Sequence, residues 1–479
     1  MTKQQIALLT RQGRAKEAVE LCLPLCEQDR SDIVAWKLLG GAQLQLGDLG
    51  KAEEAGRMAV SLNQDDSGAW TLLVQSLINQ GRTSEAVHGM QELLRLNPQS
   101  GALHGQFATI LLQLGDVQGA LKHYHQEVAI DPQNGIAHHT LGQAYKALHR
   151  YREAESSYRE AIHLCPSWAE PHMNLGHALL QMGARKEALS CQKKALSLDS
   201  RMGEPHYNIA LCLYDDQNLE PALDAFRKAT ELAPSNDMVK CLLGILYLQQ
   251  GNKDAAGTLI EAANQSPFTA SRVESYQYAA RAAPQARFFS TARQTLKFAI
   301  DNAGSDGLFL EFGVCYGTSI TMIANQVDAT VHGFDSFEGL PESWDVSVTG
   351  EVKREQAGTY STLGRPPPVP DNVVLHIGLF EETLPGFVEQ HHDHVSFVNV
   401  DCDLYSSTRT VFQHLGDRFV PGSVVVFDDY FCYPEWRQHE YKAFQEFVTK
   451  FGIRYEYLAF SFFTGQAVVR ILEVNGDTY

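Results

Sequence analysis

The chain has 479 residues, a net charge of −18 with histidine neutral, and 44% hydrophobic residues. This length exceeds what one hydrophobic core holds, so we expect at least two structural units. Residues 266–479 carry 15 Lys and Arg against 27 Asp and Glu, which is two thirds of the excess negative charge. Because so acidic a half repels phosphate backbones, a nucleic-acid substrate is disfavoured.

Targeting signals are missing from the sequence pattern. No apolar run approaches the length of a membrane span, and the start, Met1-Thr-Lys-Gln-Gln, lacks the hydrophobic centre of a signal peptide. The nine cysteines are scattered without a Cys-x-x-Cys pair. Unpaired cysteines are typical of a reducing compartment, so the sequence predicts a cytoplasmic protein without a membrane span.

The first part of the chain repeats every 34 residues. The repeat is marked by alanines at Ala18, Ala52, Ala86, Ala120, Ala154, Ala188, Ala222 and Ala256. Small residues and prolines recur at the same period, and they allow close helix packing and end the second helix of each pair. The pattern, with Leu141-Gly142 followed by Tyr145, resembles the tetratricopeptide repeat. We expect an α-solenoid over residues 1–262.

A solenoid of this length offers an extended groove. The first helix of each repeat is expected to present its inner residues there: Ile136, His139, Gln143, Glu170, Met173, His177, Glu204, Tyr207 and Leu211. Such grooves capture peptides or other proteins, so we expect a protein or peptide partner. A spacer role and a homo-oligomer contact are the alternatives.

The pattern changes after the repeats. Residues 263–303 remain helical and are interpreted as a linker and lid helix, and residues 304–479 alternate between strands and helices. The predicted strands are 308–312, 330–334, 373–377, 395–400 and 423–427, with a closing hairpin over 455–460 and 467–472. This order predicts an α/β doubly wound, Rossmann-like sheet. The proline-rich stretch 341–370 has the length of an active-site cover.

Acidic residues follow two neighbouring strands. Asp401 comes directly after one apolar run, and Asp428 and Asp429 follow the next. The carboxyl ends of parallel strands form the edge where open α/β sheets bind ligands. Because adjacent carboxylates repel and oxygen ligands suit a hard cation, the pattern predicts a site for Mg²⁺ or another divalent cation.

Two further turns have the character of a cofactor site. Gly313 and Gly317 allow the backbone after the first strand to approach a ligand, and Asp335 after the second strand can accept ribose hydrogen bonds. Glu311 would repel a pyrophosphate and attract an ammonium group. This favours a sulfonium cofactor that carries an ammonium group over a pyrophosphate ligand, with an ordinary tight βα turn as the alternative.

Residues from about 286 to 479 resemble the class I methyltransferases of the macrocin O-methyltransferase type. The resemblance is carried by five motifs in order: Glu311-Phe-Gly-Val, Gly333 to Pro341, Gly378 to Pro385, Asp401 to Thr408 and Asp428-Asp429-Tyr430. It implies that Glu311 and Gly313 contact the methionine part of S-adenosylmethionine, that Asp335 contacts the ribose, and that Asp401, Asp428 and Asp429 bind the metal. Ser336 and Gly378, within these motifs, and Gly317 complete the predicted cofactor-binding set.

Two residues are candidates for the base that deprotonates the acceptor. Asp403 is implied by the resemblance, and two residues beyond Asp401 it lies on the same side of an extended chain. His439, at the start of a predicted helix, is the alternative. Asp403 could instead support the metal ligands or cap the loop, and His439 could lie at the surface at the start of the helix.

The sequence therefore predicts a Mg²⁺-assisted O-methyltransferase that uses S-adenosylmethionine and acts on a hydroxylated small molecule, with the repeats recruiting a partner or carrier. A saccharide, a catechol-like phenol and a modified peptide all fit the acceptor. The alternative is an adaptor in which the repeats act and the second half is a catalytically weak or inactive methyltransferase fold.

Overall fold

The computed structural model describes residues 2–263, 266–348 and 351–474. The helices within these residues are α1 Lys3–Arg11, α2 Ala15–Gln28, α3 Ile33–Leu46, α4 Leu49–Leu62, α5 Ser67–Asn79, α6 Thr83–Leu96, α7 Gly101–Gln113, α8 Val117–Ile130, α9 Gly135–Ala147, α10 Tyr151–Leu164, α11 Ala169–Gln181, α12 Arg185–Leu198, α13 Glu204–Leu213, α14 Glu220–Leu232, α15 Asp237–Gln250, α16 Lys253–Ala263, α17 Pro267–Ala282, α18 Ala292–Asp301, α19 Thr318–Ala324, α20 Phe380–Gln390, α21 Tyr405–Leu415 and α22 Glu440–Phe451. The strands are β1 Arg287–Phe288, β2 Leu308–Phe312, β3 Val331–Asp335, β4 Trp344–Val348, β5 Glu351–Glu355, β6 Val373–Ile377, β7 Val395–Val400, β8 Phe419–Phe427, β9 Ile453–Ser461 and β10 Gln466–Val474.

The repeat pattern gives pairs of antiparallel helices, as predicted. The marker alanines of the repeats are fully buried, with exposures of 0% from Ala18 to Ala256. Helix starts are capped by side-chain oxygens, as at Asp66 before α5 and Ser100 before α7, and Gly47 ends α3 in the left-handed conformation. Small packing residues and caps thus fix both the spacing and the length of the helices.

The chain forms two compact units that divide within the repeats. The first comprises residues up to Ala144 together with His163–Pro166, and the second comprises Tyr145–Ile162 together with Ser167 onward. The predicted boundary between residues 262 and 263 coincides with the end of α16 at Ala263 but not with a division between these units. The later repeats therefore belong to the same compact unit as the sheet.

Contacts within the second unit join these later repeats to the sheet. Asp216, after α13, accepts two hydrogen bonds from the Arg287 guanidinium at 2.8 Å and one from the Phe288 backbone at 2.8 Å. The Phe463 ring contacts the rings of Tyr214 and Phe226. Polar and aromatic contacts thus hold the edge strand β1 and the β9–β10 turn against the repeats.

Part of the predicted groove is not accessible. His139, Met173 and Leu211 are only 5–8% exposed, so the prediction that they present themselves to an incoming peptide is wrong. Their side chains are covered by packing within the folded chain. Ile136, in contrast, is 61% exposed.

The second unit contains an eight-stranded sheet with the order β1-β9-β10-β8-β7-β2-β3-β6. β8, β7, β2, β3 and β6 are parallel, and β10 runs antiparallel to both β8 and β9. The doubly wound sheet with an antiparallel end is thus confirmed. The edge strand β1, which is only two residues long, and a separate β4–β5 hairpin within 341–370 were not predicted.

Helix α18 lies against one face of this sheet. Leu296, Ala299 and Ile300 are buried in a core cluster with residues of β2, β7 and β8. The apolar face of α18 is therefore part of the sheet's covering layer, and the interpretation of residues 263–303 as a linker and lid helix stays a prediction. Within the described residues, none of the helices is both long enough and apolar enough to cross a membrane.

Candidate active site

Three carboxylates converge at the carboxyl ends of β7 and β8. One oxygen each of Asp401, Asp428 and Asp429 lies within 4.8 Å of the others, and no other such group of metal-ligand residues occurs in the part of the chain described. The backbone aligns them, because the Asp428 N–H donates to Val400 O at 2.9 Å and the Asp401 N–H to Phe312 O at 2.8 Å. This group, the acid triad, brings together the three predicted metal ligands.

The acid triad is electrostatically unfavourable without a cation. Burial and the neighbouring Asp429 carboxylate raise the pKa of Asp428 to about 7, and the Gln466 amide, which donates to Asp428 Oδ1, lowers it in part. Burial followed by the charges of Asp428 and Asp403 raises the pKa of Asp401 well above its ordinary value. A divalent cation relieves this repulsion, so the donor set fits a hard metal ion.

Asp403 lies beside the acid triad with its backbone in the left-handed conformation at φ 59°. Burial raises the pKa of Asp429, and the charge of Asp403 and a hydrogen bond with its carboxyl group add to this shift. Asp403 thus lies next to the predicted metal ligands, although not in the extended conformation that the sequence suggested.

His439 lies in an aromatic cluster. Its ring is 5.6 Å from that of Tyr433 and 6.0 Å from that of Trp344, centroid to centroid. Burial lowers its pKa, and the Tyr433 hydroxyl donates to Asp429 O at 3.1 Å. We name Trp344, Tyr433 and His439 the aromatic wall.

Glu440, which the sequence did not indicate, is fully buried next to His439. Its Oε2 accepts a hydrogen bond from the Asp429 N–H at 3.2 Å, and its Oε1 has no partner among the described residues. Burial and the charges of Asp429, Asp428 and Asp403 raise its pKa well above the ordinary value. The site therefore has a further buried acidic side chain next to the acid triad.

Glu311 and Asn399 form a buried polar pair on adjacent strands. The Asn399 amide donates to Glu311 Oε1 at 2.9 Å, whereas Glu311 Oε2 and Asn399 Oδ1 have no hydrogen-bond partner among the described residues. Burial raises the pKa of Glu311 to about 8. Two unsatisfied acceptors at one point are costly, and they suit a ligand with several donors, such as an ammonium group.

The turn after β2 is held by Asp335. Its Oδ2 accepts from the backbone N–H groups of Val314 and Cys315 at 2.8 Å, and its Oδ1 accepts from that of Phe337 at 2.6 Å. A carboxylate has about four acceptor positions, so one is left for a ligand. Gly313, at φ 91°, leaves no room for a side chain, since a Cβ would lie 1.6 Å from Asp401 O.

The remaining predicted cofactor residues surround this turn. Gly317 begins α19 at φ 76°, and a Cβ on it would lie 2.8 Å from Pro367 Cγ of the segment 341–370. Ser336 Oγ accepts from the Glu338 N–H at 3.2 Å, and the Gly378 N–H donates to Asp335 O at 3.1 Å. These residues shape the rim of the sheet edge.

The segment 341–370 lies across this edge and carries the β4–β5 hairpin. Besides Pro367 at Gly317, the Thr362 N–H donates to Phe337 O at 3.0 Å, and the Tyr360 carbonyl accepts from the Cys315 thiol. At its other end Trp344 joins the aromatic wall. We name the segment 341–370 the cover, and we name the turn after β2, which Asp335 holds, the cofactor turn. The cover links the cofactor turn to the acid triad.

The structure thus brings the predicted metal and cofactor residues to one edge, with His439 displaced into the aromatic wall. Sequence reasoning missed Asn399, Glu440 and Gln466. A signal existed for Asn399, which is a polar residue inside an apolar strand and the direct register partner of Glu311. Nothing in the local sequence marked Glu440 or Gln466, because their place depends on how helix α22 and strand β10 pack.

Comparison with known families divides the chain in the same way. Residues 287–455 match the family model of Macrocin-O-methyltransferase (TylF). Four tetratricopeptide repeat models match residues 4–137, 135–168, 169–201 and 207–270. A search of curated proteins finds no match.

Solved structures resemble the repeats. The C-terminal part of a TPR repeat-containing protein from Cytophaga hutchinsonii is 17% identical with a TM-score of 0.44, and covers 50% of this chain and 98% of that one. The MamA protein is 18% identical with a TM-score of 0.34, and covers 35% of this chain and 92% of that one.

The order of the motifs, the sheet topology and the family matches agree on both parts of the molecule. The repeats suggest a protein partner, and the second part suggests a small-molecule acceptor. The chain is a tetratricopeptide repeat array fused to a methyltransferase domain of the macrocin O-methyltransferase family.

Proposed function

We propose that this chain is a metal-assisted, S-adenosylmethionine-dependent O-methyltransferase that acts on a hydroxyl group of a small molecule and is directed to it by the repeats. The observation that carries the proposal is the position of the acid triad at the same sheet edge as Glu311, whose buried Oε2 has no hydrogen-bond partner among the described residues. A charged donor beside Glu311 would satisfy its Oε2, and a cation bound by the acid triad would relieve the repulsion between the three carboxylates.

Asp401, Asp428 and Asp429 would hold the divalent cation. When bound, such a cation supplies charge that lowers the pKa of an acceptor hydroxyl and fixes its orientation. Gln466 orients Asp428 through its amide, and Glu440 positions Asp429 through the backbone N–H. These supports keep the carboxylates together in spite of their repulsion.

Glu311 and Asn399 would bind the ammonium group of S-adenosylmethionine, which supplies the methyl group. The remaining acceptor position of Asp335 would accept one ribose hydroxyl. Gly313 and Gly317 allow the backbone of this turn to lie close to the ligand, with Ser336 and Gly378 at the rim. The cover excludes water from this region.

Asp403 is the better candidate for the base. Its carboxyl group is hydrogen-bonded to that of Asp429, so it lies in the acidic part of the site. His439 would instead contribute to the aromatic wall, which could bind the flat face of a sugar or phenol ring. Saccharides and catechol-like phenols with adjacent hydroxyls remain the acceptor classes that suit this arrangement.

Calorimetric titration of S-adenosylmethionine into the purified chain tests the proposal. Replacing Glu311 with Gln removes the charge that pairs with the ammonium, so we expect the affinity to fall by about tenfold or more. Glu389→Gln, on the exposed end of α20, is the matched control and should bind as the wild type does.

Methyl transfer is measured separately with methyl-labelled S-adenosylmethionine, Mg²⁺, and a panel of saccharide and catechol acceptors. Asp428→Asn should abolish Mg²⁺-dependent transfer while retaining cofactor binding. A wild-type chain that fails to bind S-adenosylmethionine would refute the enzyme and support the adaptor. Undiminished Mg²⁺-dependent transfer by Asp428→Asn would refute the metal site alone.

A further inference from the structure

The first helix of most repeats is followed by a glycine in the left-handed conformation. These glycines are separated by multiples of 34 residues and have φ between 75° and 86°: Gly13, Gly47, Gly81, Gly115, Gly183 and Gly251. Two repeats have another residue at the equivalent position. Gln217 is not left-handed, whereas His149 keeps the left-handed conformation at φ 55°. His149 therefore preserves a glycine turn without the glycine.

The loop around His149 is fixed on both sides. The His149 N–H donates to Lys146 O at 3.0 Å and the Arg150 N–H to Tyr145 O at 2.9 Å, which are the bonds of a glycine-capped helix end. A left-handed backbone is unfavourable for a residue with a Cβ, and such strain is often kept for a functional reason. The ring supplies a contact that glycine lacks, because His149 Nδ1 and the Tyr151 hydroxyl are hydrogen-bonded at 2.8 Å. This bond ties the loop to the first residue of α10.

The same loop meets the start of α19, directly after the cofactor turn. The Thr318 hydroxyl donates to His149 O at 3.2 Å. The preceding residue, Gly317, lies against Pro367 of the cover, and Asp335 holds the cofactor turn through its backbone N–H groups. Three separate parts of the chain therefore hold this turn: the strand end at Asp335, the cover and a loop of the repeats.

We propose that His149 is a positioning residue of the S-adenosylmethionine site that the repeats supply. It holds Thr318, and with it the cofactor turn, in the conformation that binds the cofactor. This inference rests on the proposed function. It gives the later repeats a direct part in cofactor binding, in addition to the recruitment of a partner.

The side chain explains why a histidine stands at this position. A glycine carbonyl could also accept the Thr318 hydrogen bond, but a glycine loop has more conformational freedom. The hydrogen bond between the His149 ring and Tyr151 restricts the direction of the carbonyl. The strain of the left-handed histidine is thus exchanged for a fixed acceptor beside the cofactor turn.

Three substitutions each remove one part of this connection. Thr318→Val removes the hydroxyl and keeps the shape, Tyr151→Phe removes the partner of the ring, and His149→Gly restores the residue of the other repeats. We expect each to lower the affinity of the full-length chain for S-adenosylmethionine by about three- to tenfold in calorimetric titration, as for the loss of one hydrogen bond. Thr449→Val, whose hydroxyl donates to Gln445 O of its own helix, is the matched control and should bind as the wild type does.

Thermal unfolding of the ligand-free variants separates positioning from folding. Glycine adopts the left-handed conformation without strain, so His149→Gly should melt at the same temperature as the wild type or at a higher one, although it binds the cofactor less tightly. Because Tyr151 and Thr318 act through the same residue, the double variant Tyr151→Phe/Thr318→Val should lose little more affinity than either single variant.

Unchanged affinity in folded Thr318→Val or folded His149→Gly would overturn the inference and leave the proposed function intact. Fully additive losses in the double variant would also overturn it, since the two residues would then act independently. Thr318 is exposed, so Thr318→Val keeps the test available if His149→Gly does not fold. A wild-type chain that does not bind S-adenosylmethionine would refute the proposed function and this inference with it.

Discussion

Asp335 shows how the role of one residue depends on its backbone neighbours. An acid after the second strand is typical of a ribose contact, yet three of its acceptor positions are used by the N–H groups of Val314, Cys315 and Phe337. Asp335 therefore holds the cofactor turn in place, and ribose binding would use only what remains.

Replacing Asp335 with Ala should destabilise the protein even without ligand. Hydrogen bonds to a charged acceptor contribute about 1.5–3 kcal/mol each, so we expect the free energy of unfolding to fall by more than about 2 kcal/mol. Urea denaturation of the ligand-free chain measures it, with the exposed Glu338→Ala as control. A purely ribose-binding Asp335 would leave the ligand-free stability unchanged.

The raised pKa values of the buried acids predict a pH dependence. Asp428, with a pKa of about 7, and Glu311, with one of about 8, retain protons in the folded state that the unfolded chain releases near pH 4. Since the folded state binds more protons in this window, the stability of the metal-free chain should decrease as the pH rises from 5 to 8.

A divalent cation binds the deprotonated triad, so it should offset that loss at high pH. We expect Mg²⁺ to raise the melting temperature more at pH 8 than at pH 6 and to have little effect on Asp428→Asn. Differential scanning fluorimetry at both pH values measures the shift. An equal Mg²⁺ effect at both pH values would contradict the coupling of protons and metal at this site.

At the scale of elements, the cover is fitted to the turn it lies on. Gly317 adopts the left-handed conformation, which costs other residues about 1–2 kcal/mol, and Pro367 occupies the space where its Cβ would be. The cover and the cofactor turn therefore restrict each other's sequence.

Gly317→Ala should lower the free energy of unfolding in two ways, through the strain of the left-handed backbone and through the clash of its Cβ with Pro367. Pro367→Gly should remove only the clash. We expect the double variant to be more stable than Gly317→Ala alone, by about 1 kcal/mol, and to recover part of the affinity for S-adenosylmethionine. Additive effects of the two substitutions would show that Pro367 does not contact the turn in solution.

At the scale of the whole molecule, the later repeats and the methyltransferase domain are one compact unit. Asp216 binds Arg287 and the edge strand β1, and Tyr214 and Phe226 pack on Phe463. A solenoid in which each repeat touches only its neighbours would be separable from the domain at any repeat, but this one is not.

Two truncations test this difference. Removing residues 1–134, up to the start of α9, leaves every one of these contacts intact, so the product should fold and bind S-adenosylmethionine while losing recruitment of its acceptor. Removing residues 1–235 deletes Asp216 and exposes Phe463, and we expect aggregation or a strongly lowered melting temperature. Equal folding of both products, judged by circular dichroism and calorimetry, would contradict the structural role of the later repeats.

The sequence by itself determined the repeat period, the positions of the main strands along the chain and the acidic residues at the strand ends. These features are local: the spacing of Ala52 and Ala86 reflects helix packing at every repeat, and an apolar run that ends in Asp401 places a carboxylate at the sheet edge wherever the strand lies. Their chemistry depends on residue type and position along one element, which is why a candidate site could be predicted before the fold was known.

Only the tertiary structure decided which partners satisfy the hydrogen-bonding groups of these residues. The strand register brings the Asn399 amide to Glu311. The packing of α22 brings the Glu440 carboxylate to the Asp429 backbone N–H. The acceptor positions of the Asp335 carboxylate are taken by backbone N–H groups, including that of Val314 in another turn. The burial of Leu211 likewise depends on what lies opposite in space. Hydrogen bonding and desolvation are properties of neighbours that are distant in sequence, so no local pattern contains them.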